Sequence, residues 1–306
     1  MKILIVASYN KGYFAPFILE QADALRQIGC EVDYFGVVGK GIKGYLSAFS
    51  ALSKKIKSFK PDVIHAHYGL SGLLANLQRK SPVVTTYHGS DINLPNVLRF
   101  SKIAMKLSAW NIFVSQRNVD IAQPKSNYIL LPCGVNLPNY VEEDITAAKE
   151  KLNWNPNKKY ILFAGAFDNK VKNAKLAQDS VALLEKIELL ELKGYTREQV
   201  IALFYAVDAF LMTSFTEGSP QVVKEAMACD CPIVSVDVGD VAERIEGLGG
   251  CYIAERNPQD IASKLQQALS LKTRTKGRER IIELGLTNDL VAKKLLEIYE
   301  DVLKNN

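Results

Sequence analysis

The chain has few of the features that hold secreted, metal-bound or membrane-spanning proteins together. It contains five cysteines at irregular spacing, and Cys229 and Cys231 have no second pair to complete a zinc site. We therefore expect reduced, mostly buried thiols, as in a cytoplasmic protein. No run of about 18 apolar residues occurs, so no membrane-spanning helix is predicted. The amino-terminal MKILIVASYN has a short apolar run and no small-residue cleavage site, which predicts a strand rather than a signal peptide.

The composition is that of an ordinary globular protein, with 48% hydrophobic and 23% charged residues. A length of 306 residues allows about two domains. The net charge of +5 is unevenly distributed: residues 1–138 carry 16 Lys and Arg against 7 Asp and Glu, whereas residues 139–306 carry 22 against 26. A basic first half indicates an anionic partner.

One segment of the first half combines basic and apolar residues. Its members are Lys54, Lys55, Lys57 and Lys60 with Leu52, Ile56 and Phe59. A basic helix with apolar residues favours an anionic membrane surface over nucleic acid. The other interpretation is a solvated helix face. The expected location is therefore the cytoplasm, either free or peripheral on the inner face of the membrane.

Strands alternate with helices along most of the chain, which predicts an α/β protein with parallel sheets. The predicted strands of the first half are 2–7, 31–35, 62–65, 83–87, 112–115 and 128–131, and those of the second half are 160–165, 187–192, 209–212 and 233–236. The predicted helices include 17–29, 45–58, 69–78, 97–107, 144–152, 175–185, 198–206, 221–229, 258–269 and 287–306. We predict an amino-terminal domain over 1–138 and a second over 139–286, with an interdomain cleft as the ligand position and a final helix over 287–306.

The segment TEGSPQVVKEAMACDCPIV, Thr216–Val234, carries the strongest functional signal. Glu217 lies in a turn, and Glu225 follows eight residues later inside a predicted helix. Ser219 before Pro220 predicts the N-cap and first residue of that helix. The amides at a helix start suit a phosphate, and a carboxylate on either side suits sugar and ribose hydroxyls. The arrangement therefore favours a nucleotide sugar over two solvated glutamates on an ordinary amphipathic helix.

This segment resembles the E-x(7)-E signature of retaining glycosyltransferases of the GT-B fold, family four, and the following VDVGDVAER, Val236–Arg244, resembles the next strand and loop of those enzymes. The resemblance implies two Rossmann-like domains, a nucleoside diphosphate sugar as donor, and neither cofactor nor metal. It also implies that the last helix crosses back to the first domain.

The resemblance assigns roles to further residues. His88, in VVTTYHGSDI, resembles the TxHG histidine that contacts the donor sugar, and Gly12 matches a glycine loop near the phosphate or sugar. Gly194 and Tyr195, in LKGY, lie where the family contacts the base. Glu225 is expected to hold the ribose, and Glu217 the transferred sugar. The other expected substrate contacts form the helix start: Ser219, Pro220, Gln221 and Val222.

The phosphate loop departs from the family pattern. The segment FAGAFDNKVKN, Phe163–Asn173, stands where the family has G-R-L-x-x-x-K-G. Gly165 and Lys172 match in kind, but Ala166 replaces the arginine and the lysine comes one residue late. We expect Lys172 to stabilise the diphosphate leaving group, with Lys170 as a second cation nearby.

Two further motifs are set aside. Gly39, Gly41 and Gly44 satisfy the G-x-G-x-x-G spacing of dinucleotide-binding sites, but they follow the second strand rather than the first. A dinucleotide site is therefore not predicted, and the segment 36–44 is interpreted as a mobile loop.

His65 and His67 would share a face of a continuous strand, but the strand is expected to end near His65 and no third metal ligand is evident. We interpret both histidines as structural.

The sequence therefore predicts a retaining, metal-independent glycosyltransferase that moves a sugar from a nucleoside diphosphate to an acceptor hydroxyl in polysaccharide or glycolipid synthesis. The acceptor is expected to be a glycan or a lipid-linked glycan, and no nucleic-acid partner is expected. The alternative, motivated by Ala166, is a non-catalytic nucleotide-sugar-binding subunit that supports another glycosyltransferase. The donor sugar, its base, the acceptor and the oligomeric state are not specified by the sequence.

Overall fold

The computed structural model describes residues 1–139, 144–271 and 273–305. The chain forms two compact units, one made of Met1–Gly134 together with the segment from Leu286 onward, the other of Val135–Gly285. Each unit is built on one parallel sheet. This is the two-domain α/β architecture that the alternating pattern predicts.

The first unit contains a six-stranded parallel sheet in the order β2-β1-β3-β4-β5-β6. Its strands are β1 Lys2–Ser8, β2 Glu31–Val37, β3 Val63–His67, β4 Val83–Tyr87, β5 Trp110–Phe113 and β6 Tyr128–Leu130. The central strands β3 and β4 are buried along their whole length, as expected for a sheet covered by helices on both faces.

Helices α1 to α7 connect these strands. They are α1 Pro16–Gln27, α2 Gly41–Ser47, α3 Phe49–Phe59, α4 Gly69–Asn76, α5 Ser90–Asn93, α6 Pro95–Leu107 and α7 Gln116–Ala122. The parallel strands require such crossovers, because each strand must start again at the same edge of the sheet.

The second unit contains a five-stranded parallel sheet in the order β11-β10-β9-β7-β8. Its strands are β7 Lys159–Phe163, β8 Ile187–Glu191, β9 Ala209–Met212, β10 Ile233–Val236 and β11 Cys251–Ala254. Its helices are α8 Ile145–Lys151, α9 Ala174–Val181, α10 Arg197–Ala206, α11 Gln221–Ala228, α12 Val241–Ile245, α13 Pro258–Leu269 and α14 Gly277–Glu283.

The final helix, α15 Asn288–Lys304, packs within the first unit. Its apolar face, including Val291, Leu295 and Tyr299, is buried in one core with Ile3, Ile5 and the α1 residues Ala22 and Leu25. The helix thus contributes to the core beneath the first sheet, although it follows the second unit in sequence. Asn306, the predicted last residue of this helix, lies outside the described residues.

Several predicted elements are wrong in detail. The single helix expected over 45–58 is two helices, α2 and α3, and the loop expected over 36–44 is shorter, over 38–40, because β2 ends at Val37 and α2 begins at Gly41. This short loop is closely packed: a Cβ added to Gly39 would lie 2.7 Å from the Gly44 oxygen. Strand β3 continues through His67 rather than ending near His65.

The basic cluster on α3 has a different environment from the one its sequence indicates. Leu52 and Ile56 are buried against the first sheet, so they are not available to enter a lipid surface. Lys55 forms an ion pair with Asp33. What residues 52–60 present outward is therefore mainly charge, chiefly from Lys54 and Lys57. No helix among the described residues is long and apolar enough to cross a membrane.

Candidate active site

Glu217 lies on the loop between β9 and α11, at the carboxyl edge of the second sheet. Its Oε1 is 2.8 Å from Nζ of Lys172, and both side chains are more than four-fifths buried. The aliphatic part of Lys172 packs against Gly165. A Cβ added to Gly165 would lie 2.9 Å from Cγ of the lysine. Gly165 after β7 therefore leaves the space through which the lysine reaches Glu217.

The segment that carries Lys172 is held from both sides. Residues Lys170–Lys172 form a short 3-10 helix, and the Asn169 side chain accepts a hydrogen bond from the Val171 amide at its start. The Thr213 hydroxyl, after β9, lies 3.0 Å from the Lys172 carbonyl oxygen and 2.9 Å from that of Asn173. Lys170 itself is exposed. Of the two predicted cations, the structure therefore brings Lys172 to Glu217.

The turn of Glu217 packs on a second glycine. A Cβ on Gly239 would lie 2.6 Å from the Gly218 oxygen and 3.2 Å from Cβ of Glu217, and Gly239 has a φ of +60°. Gly239 follows β10, so two neighbouring strands of the sheet set the position of this turn through direct backbone contact.

Glu225 lies inside α11 and forms an ion pair with a residue that the sequence analysis did not select. Its Oε1 is 2.6 Å from Nη1 of Arg197, the first residue of α10. The start of α10 is fixed by a capping box between Thr196 and Gln199. Each carboxylate of the E-x(7)-E motif thus has its own cation, Lys172 for Glu217 and Arg197 for Glu225.

The start of α11 differs from the prediction by one residue. The N-cap is Pro220, not Ser219, and α11 begins at Gln221. The Ser219 hydroxyl is 2.8 Å from Oδ2 of Asp240 and so donates its proton to that carboxylate. A serine occupied in this way does not cap the helix, and the adjacent residues Gln221 and Val222 carry the first amides of the helix.

A buried charged network lies behind this helix start. Lys224 Nζ is 3.3 Å from the Ser219 oxygen, and Arg244 Nε is 2.8 Å from the same Asp240 oxygen that Ser219 bonds. Because the Ser219 proton is directed to Asp240, its oxygen accepts from Lys224. The network places Arg244 against the Asp240 carboxylate and Lys224 against the Ser219 oxygen, beneath the turn between Glu217 and α11.

The predicted base-contacting turn lies after β8. Gly194 has a φ of +79°, the left-handed region, and a Cβ there would meet no atom within 4 Å. Tyr195 is about two-fifths exposed. Its ring is therefore available to a flat ligand next to the α10 start that carries Arg197.

In the first unit, His88 follows β4 and belongs to a stack of three histidines. Its Nε2 is 3.0 Å from Nδ1 of His67, and the ring of His67 stacks on that of His65 at a centroid distance of 4.5 Å. The rings of Phe17 and Tyr68 also contact His88, at 5.0 and 4.5 Å. His88 is thus half-buried and held on several sides at the carboxyl edge of the sheet.

The other two histidines are fully buried. His65 bonds Thr86 through Nε2 at 2.7 Å, and its Nδ1 lies 2.5 Å from the Tyr299 hydroxyl of α15. Burial lowers the pKa of His65 to about 3, and burial together with the neighbouring histidines lowers the pKa of His67 well below its ordinary value. No group of three His, Cys, Asp or Glu among the described residues is placed to hold a metal ion.

A cavity of about 540 Å³ opens beside this edge of the first sheet. Its lining includes three tyrosines, Tyr13, Tyr45 and Tyr68, together with Lys11 and Asp91. Asp91 accepts hydrogen bonds from the backbone amides of Gly69, His88 and Gly89, and burial raises its pKa to about 6. Gly12 lies next to the lining residue Lys11, with a φ of +77° and open space around its Cβ position.

The predicted site residues therefore fall into two groups. Glu217, Glu225, Lys172 and the residues of the α11 start belong to one edge of the second unit, with Gly194 and Tyr195 on the neighbouring β8 turn. His88 and Gly12 belong to the first unit.

The residues missed by sequence reasoning are the ionic partners of the predicted ones. They are Arg197, Lys224, Asp240, Arg244 and Asp91. Lys224 precedes Glu225 in the motif, but it was not selected because a lysine on an amphipathic helix usually lies on the solvated face. Arg197 came directly after a helix cap, where a charged residue is commonly exposed.

The matches to known protein families cover both units. Residues 15–137 match Glycosyltransferase Family 4, and residues 168–270 match Glycosyl transferases group 1. The chain belongs to the group 1 glycosyltransferases. The predicted family is confirmed, and so is the predicted GT-B fold of two Rossmann-like domains.

Individual relatives agree with this assignment. An uncharacterised glycosyltransferase from Methanocaldococcus jannaschii is 28% identical over 290 residues, which cover 88% of this chain and 79% of the relative. The N,N'-diacetylbacillosaminyl-diphospho-undecaprenol alpha-1,3-N-acetylgalactosaminyltransferase of Campylobacter jejuni is 24% identical, over 94% of this chain and 90% of that protein. The crystal structure of Anabaena HepE in complex with UDP covers 98% of this chain and 100% of HepE, with a TM-score of 0.75 and 16% identity.

Proposed function

We propose that this glycosyltransferase transfers a sugar from a nucleoside diphosphate to an acceptor hydroxyl with retention of configuration at the anomeric carbon. The bond between that carbon and the diphosphate breaks, the acceptor oxygen bonds the carbon, and the nucleoside diphosphate and a proton are released. The observation that carries the proposal is the pair of glutamates at the start of α11, each with a cation within 2.8 Å.

Each charged group of the second unit has a role in this proposal. Glu225 accepts hydrogen bonds from the ribose hydroxyls, and Glu217 contacts the transferred sugar. Lys172, next to Glu217, stabilises the charge that develops on the diphosphate as it leaves, which is the largest catalytic contribution in many transfer reactions. His88 of the first unit orients the donor sugar. The complex of HepE with UDP supports a nucleoside diphosphate as the ligand of such a fold.

The proposed acceptor is a lipid-linked glycan at the cytoplasmic face of a membrane. The name of the Campylobacter jejuni relative, whose acceptor is a sugar on diphospho-undecaprenol, supports this class. The excess of Lys and Arg over residues 1–138 supports it as well, because a diphosphate-linked lipid and its membrane are both anionic.

The decisive test is donor binding followed by transfer. UDP, ADP, GDP and dTDP are screened for thermal stabilisation of the purified protein, since a ligand stabilises the folded state according to its occupancy. Sugars on the nucleotide that binds are then offered with lipid-linked acceptors, and the anomeric configuration of the product is read by NMR. Binding without transfer or donor hydrolysis would favour a nucleotide-sugar-binding subunit, and an inverted product would contradict retention.

A further inference from the structure

Of the two lysines on the loop after β7, Lys172 reaches Glu217 whereas Lys170 is exposed, so this loop brings one cation to the site. The donor diphosphate bears at least two negative charges, yet Ala166 offers no charge and Lys172 is already paired with Glu217. We infer that Arg197, at the start of α10, is the second cation for the diphosphate and replaces an arginine at position 166. The inference rests on the proposed function and adds a residue to it.

The sheet order places Arg197 where such a cation is needed. Strand β7 lies between β8 and β9. Arg197 follows β8, and its partner Glu225 lies on α11, which follows β9. The ion pair between Arg197 and Glu225 therefore joins elements on either side of the carboxyl end of β7, where Gly165 and Ala166 stand.

Direct hydrogen bonds tie the β8 turn to the β7 loop. The Leu192 amide donates to the Gly165 oxygen at 3.0 Å, and the Phe167 amide donates to Oε2 of Glu191 at 2.8 Å. Both bonds fix the segment that leads into Arg197 against the residues that flank Ala166. The position of the guanidinium relative to the phosphate loop is thus set by the fold rather than by a long free side chain.

The exposure of the two partners also favours a ligand-facing arginine. The Glu225 side chain is 14% exposed, whereas that of Arg197 is 32% exposed. A guanidinium has five N–H groups in a planar fork, so it can hold a carboxylate and a phosphate oxygen together. The α-phosphate is joined to the ribose through one oxygen, so a cation beside the ribose-binding carboxylate is within reach of it. Arg244, on α12 behind this helix start, is committed to Asp240 and is only 11% exposed.

The test compares a nucleoside diphosphate with its own nucleoside. Wild type, Arg197→Ala and Lys193→Ala are each titrated with whichever of UDP, ADP, GDP and dTDP stabilises the wild type, and with the matching nucleoside. Lys193→Ala is the matched control, because it removes one positive charge from the same turn, where Lys193 pairs with Asp168 in solvent. Melting without ligand confirms that each variant is folded.

Arg197→Ala should weaken diphosphate binding by about tenfold or more, as the loss of a charge-assisted hydrogen bond does, with a much smaller change for the nucleoside. Lys193→Ala should bind both like the wild type. Adding Ala166→Arg to Arg197→Ala should recover diphosphate binding.

Equal losses for nucleoside and diphosphate would mean that Arg197 acts only by orienting Glu225, and would overturn the inference. Unchanged or tighter diphosphate binding, an equal loss in Lys193→Ala, or no recovery in the double variant would overturn it too. Failure of the proposed function gives a different result, since the wild type would then bind none of the four diphosphates.

Discussion

At the scale of single residues, the two glutamates of the site differ in their partners and so should differ in their kinetic effect. Glu225→Ala removes the proposed ribose contact and should raise the donor KM by about tenfold with a smaller change in kcat. Glu217→Gln removes charge next to the reacting sugar and should mainly lower kcat, if its contacts strengthen in the transition state. Steady-state kinetics with varied donor measures both, and Glu243→Gln on the exposed face of α12 is the control. Wild-type kinetics in both variants would refute the assignment.

The two lysines of the β7 loop provide a second residue-level prediction. Lys172→Ala should cost about 2–4 kcal/mol of transition-state stabilisation, the range seen when a preorganised oxyanion donor is lost. Lys170→Ala should cost far less, because Lys170 is exposed whereas Lys172 reaches Glu217. The ratio of kcat/KM between variant and wild type measures each cost. A larger effect at Lys170 would show that the catalytic lysine of this loop is misassigned.

Gly239 allows the position of the Glu217 turn to be tested without touching a charged group. Gly239→Ala and Gly247→Ala both place a Cβ at positive φ, which costs about 1–2 kcal/mol of stability in either case. Only at Gly239 does that Cβ meet the turn, at 2.6 Å from the Gly218 oxygen, whereas Gly247 has nothing within 4 Å. Because the Gly218 oxygen belongs to the backbone, we expect a larger loss of melting temperature in Gly239→Ala than in Gly247→Ala, and reduced donor binding only in Gly239→Ala. Equal donor binding in the two variants would contradict the packing role.

At the scale of helices and strands, the sequence predicts best where a pattern is long or its boundaries are marked. Helix α13 has the predicted bounds, because Asn257 caps it, Pro258 starts it and its apolar residues recur at helical spacing. Strand β11 was not predicted, because Cys251–Ala254 is a four-residue edge strand without a clear alternation. Ser219 was predicted as the N-cap of α11 from the neighbouring residues Ser-Pro alone. Its hydroxyl instead bonds Asp240, which lies on another loop and is not part of that local pattern.

Strand β3 gives a prediction for pH dependence. His65 and His67 stay neutral in the folded state because burial lowers their pKa values, whereas in the unfolded chain a histidine takes up a proton near pH 6.5. The unfolded state therefore binds more protons below pH 6.5, and the free energy of unfolding should fall as the pH is lowered toward 3. Asp91 opposes this in part, since its pKa of about 6 lets the folded state bind a proton between pH 6 and 3.8.

The net difference between pH 6 and 4 is about one proton, which corresponds to a loss of about 1.4 kcal/mol per pH unit. His65→Gln should remove most of that slope. Thr86→Val is the control, because it deletes the 2.7 Å partner of His65 but no titrating group, and should keep the slope. Urea unfolding at several pH values measures both. A slope that survives in His65→Gln would show that other groups determine the acid sensitivity.

At the scale of the whole molecule, the sequence predicts the two-domain fold because strands and helices alternate in both halves, and a family motif marks the second. It does not predict which charges meet. The pairing of Arg197 with Glu225 depends on β7 lying between β8 and β9, and no local pattern specifies that strand order. The pairing of Tyr299 with His65 likewise joins the last helix to a strand of the first sheet, 234 residues away.

The charge asymmetry between the halves yields the last prediction, that the first unit binds anionic membranes chiefly through charge. Leu52 and Ile56 are buried and Phe49 is 37% exposed, so the α3 surface offers mainly lysines, each worth about 1 kcal/mol near an anionic leaflet. Binding to phosphatidylglycerol vesicles should therefore be strong at low salt and lost at about 0.5 M salt, where the Debye length is only a few ångströms. Co-sedimentation measures it.

Lys54→Glu with Lys57→Glu should abolish that binding while nucleotide binding, which we propose for the second unit, is kept. Lys55 is left in place because its ion pair with Asp33 stabilises the fold. The control is Lys186→Glu with Lys276→Glu, which makes the same change in net charge on exposed residues of the second unit and should leave vesicle binding in place. If both double variants lose binding equally, net charge rather than the α3 surface governs the association. If the wild type does not sediment even at low salt, a soluble acceptor becomes the better proposal, and the lysines of α3 serve as a solvated face.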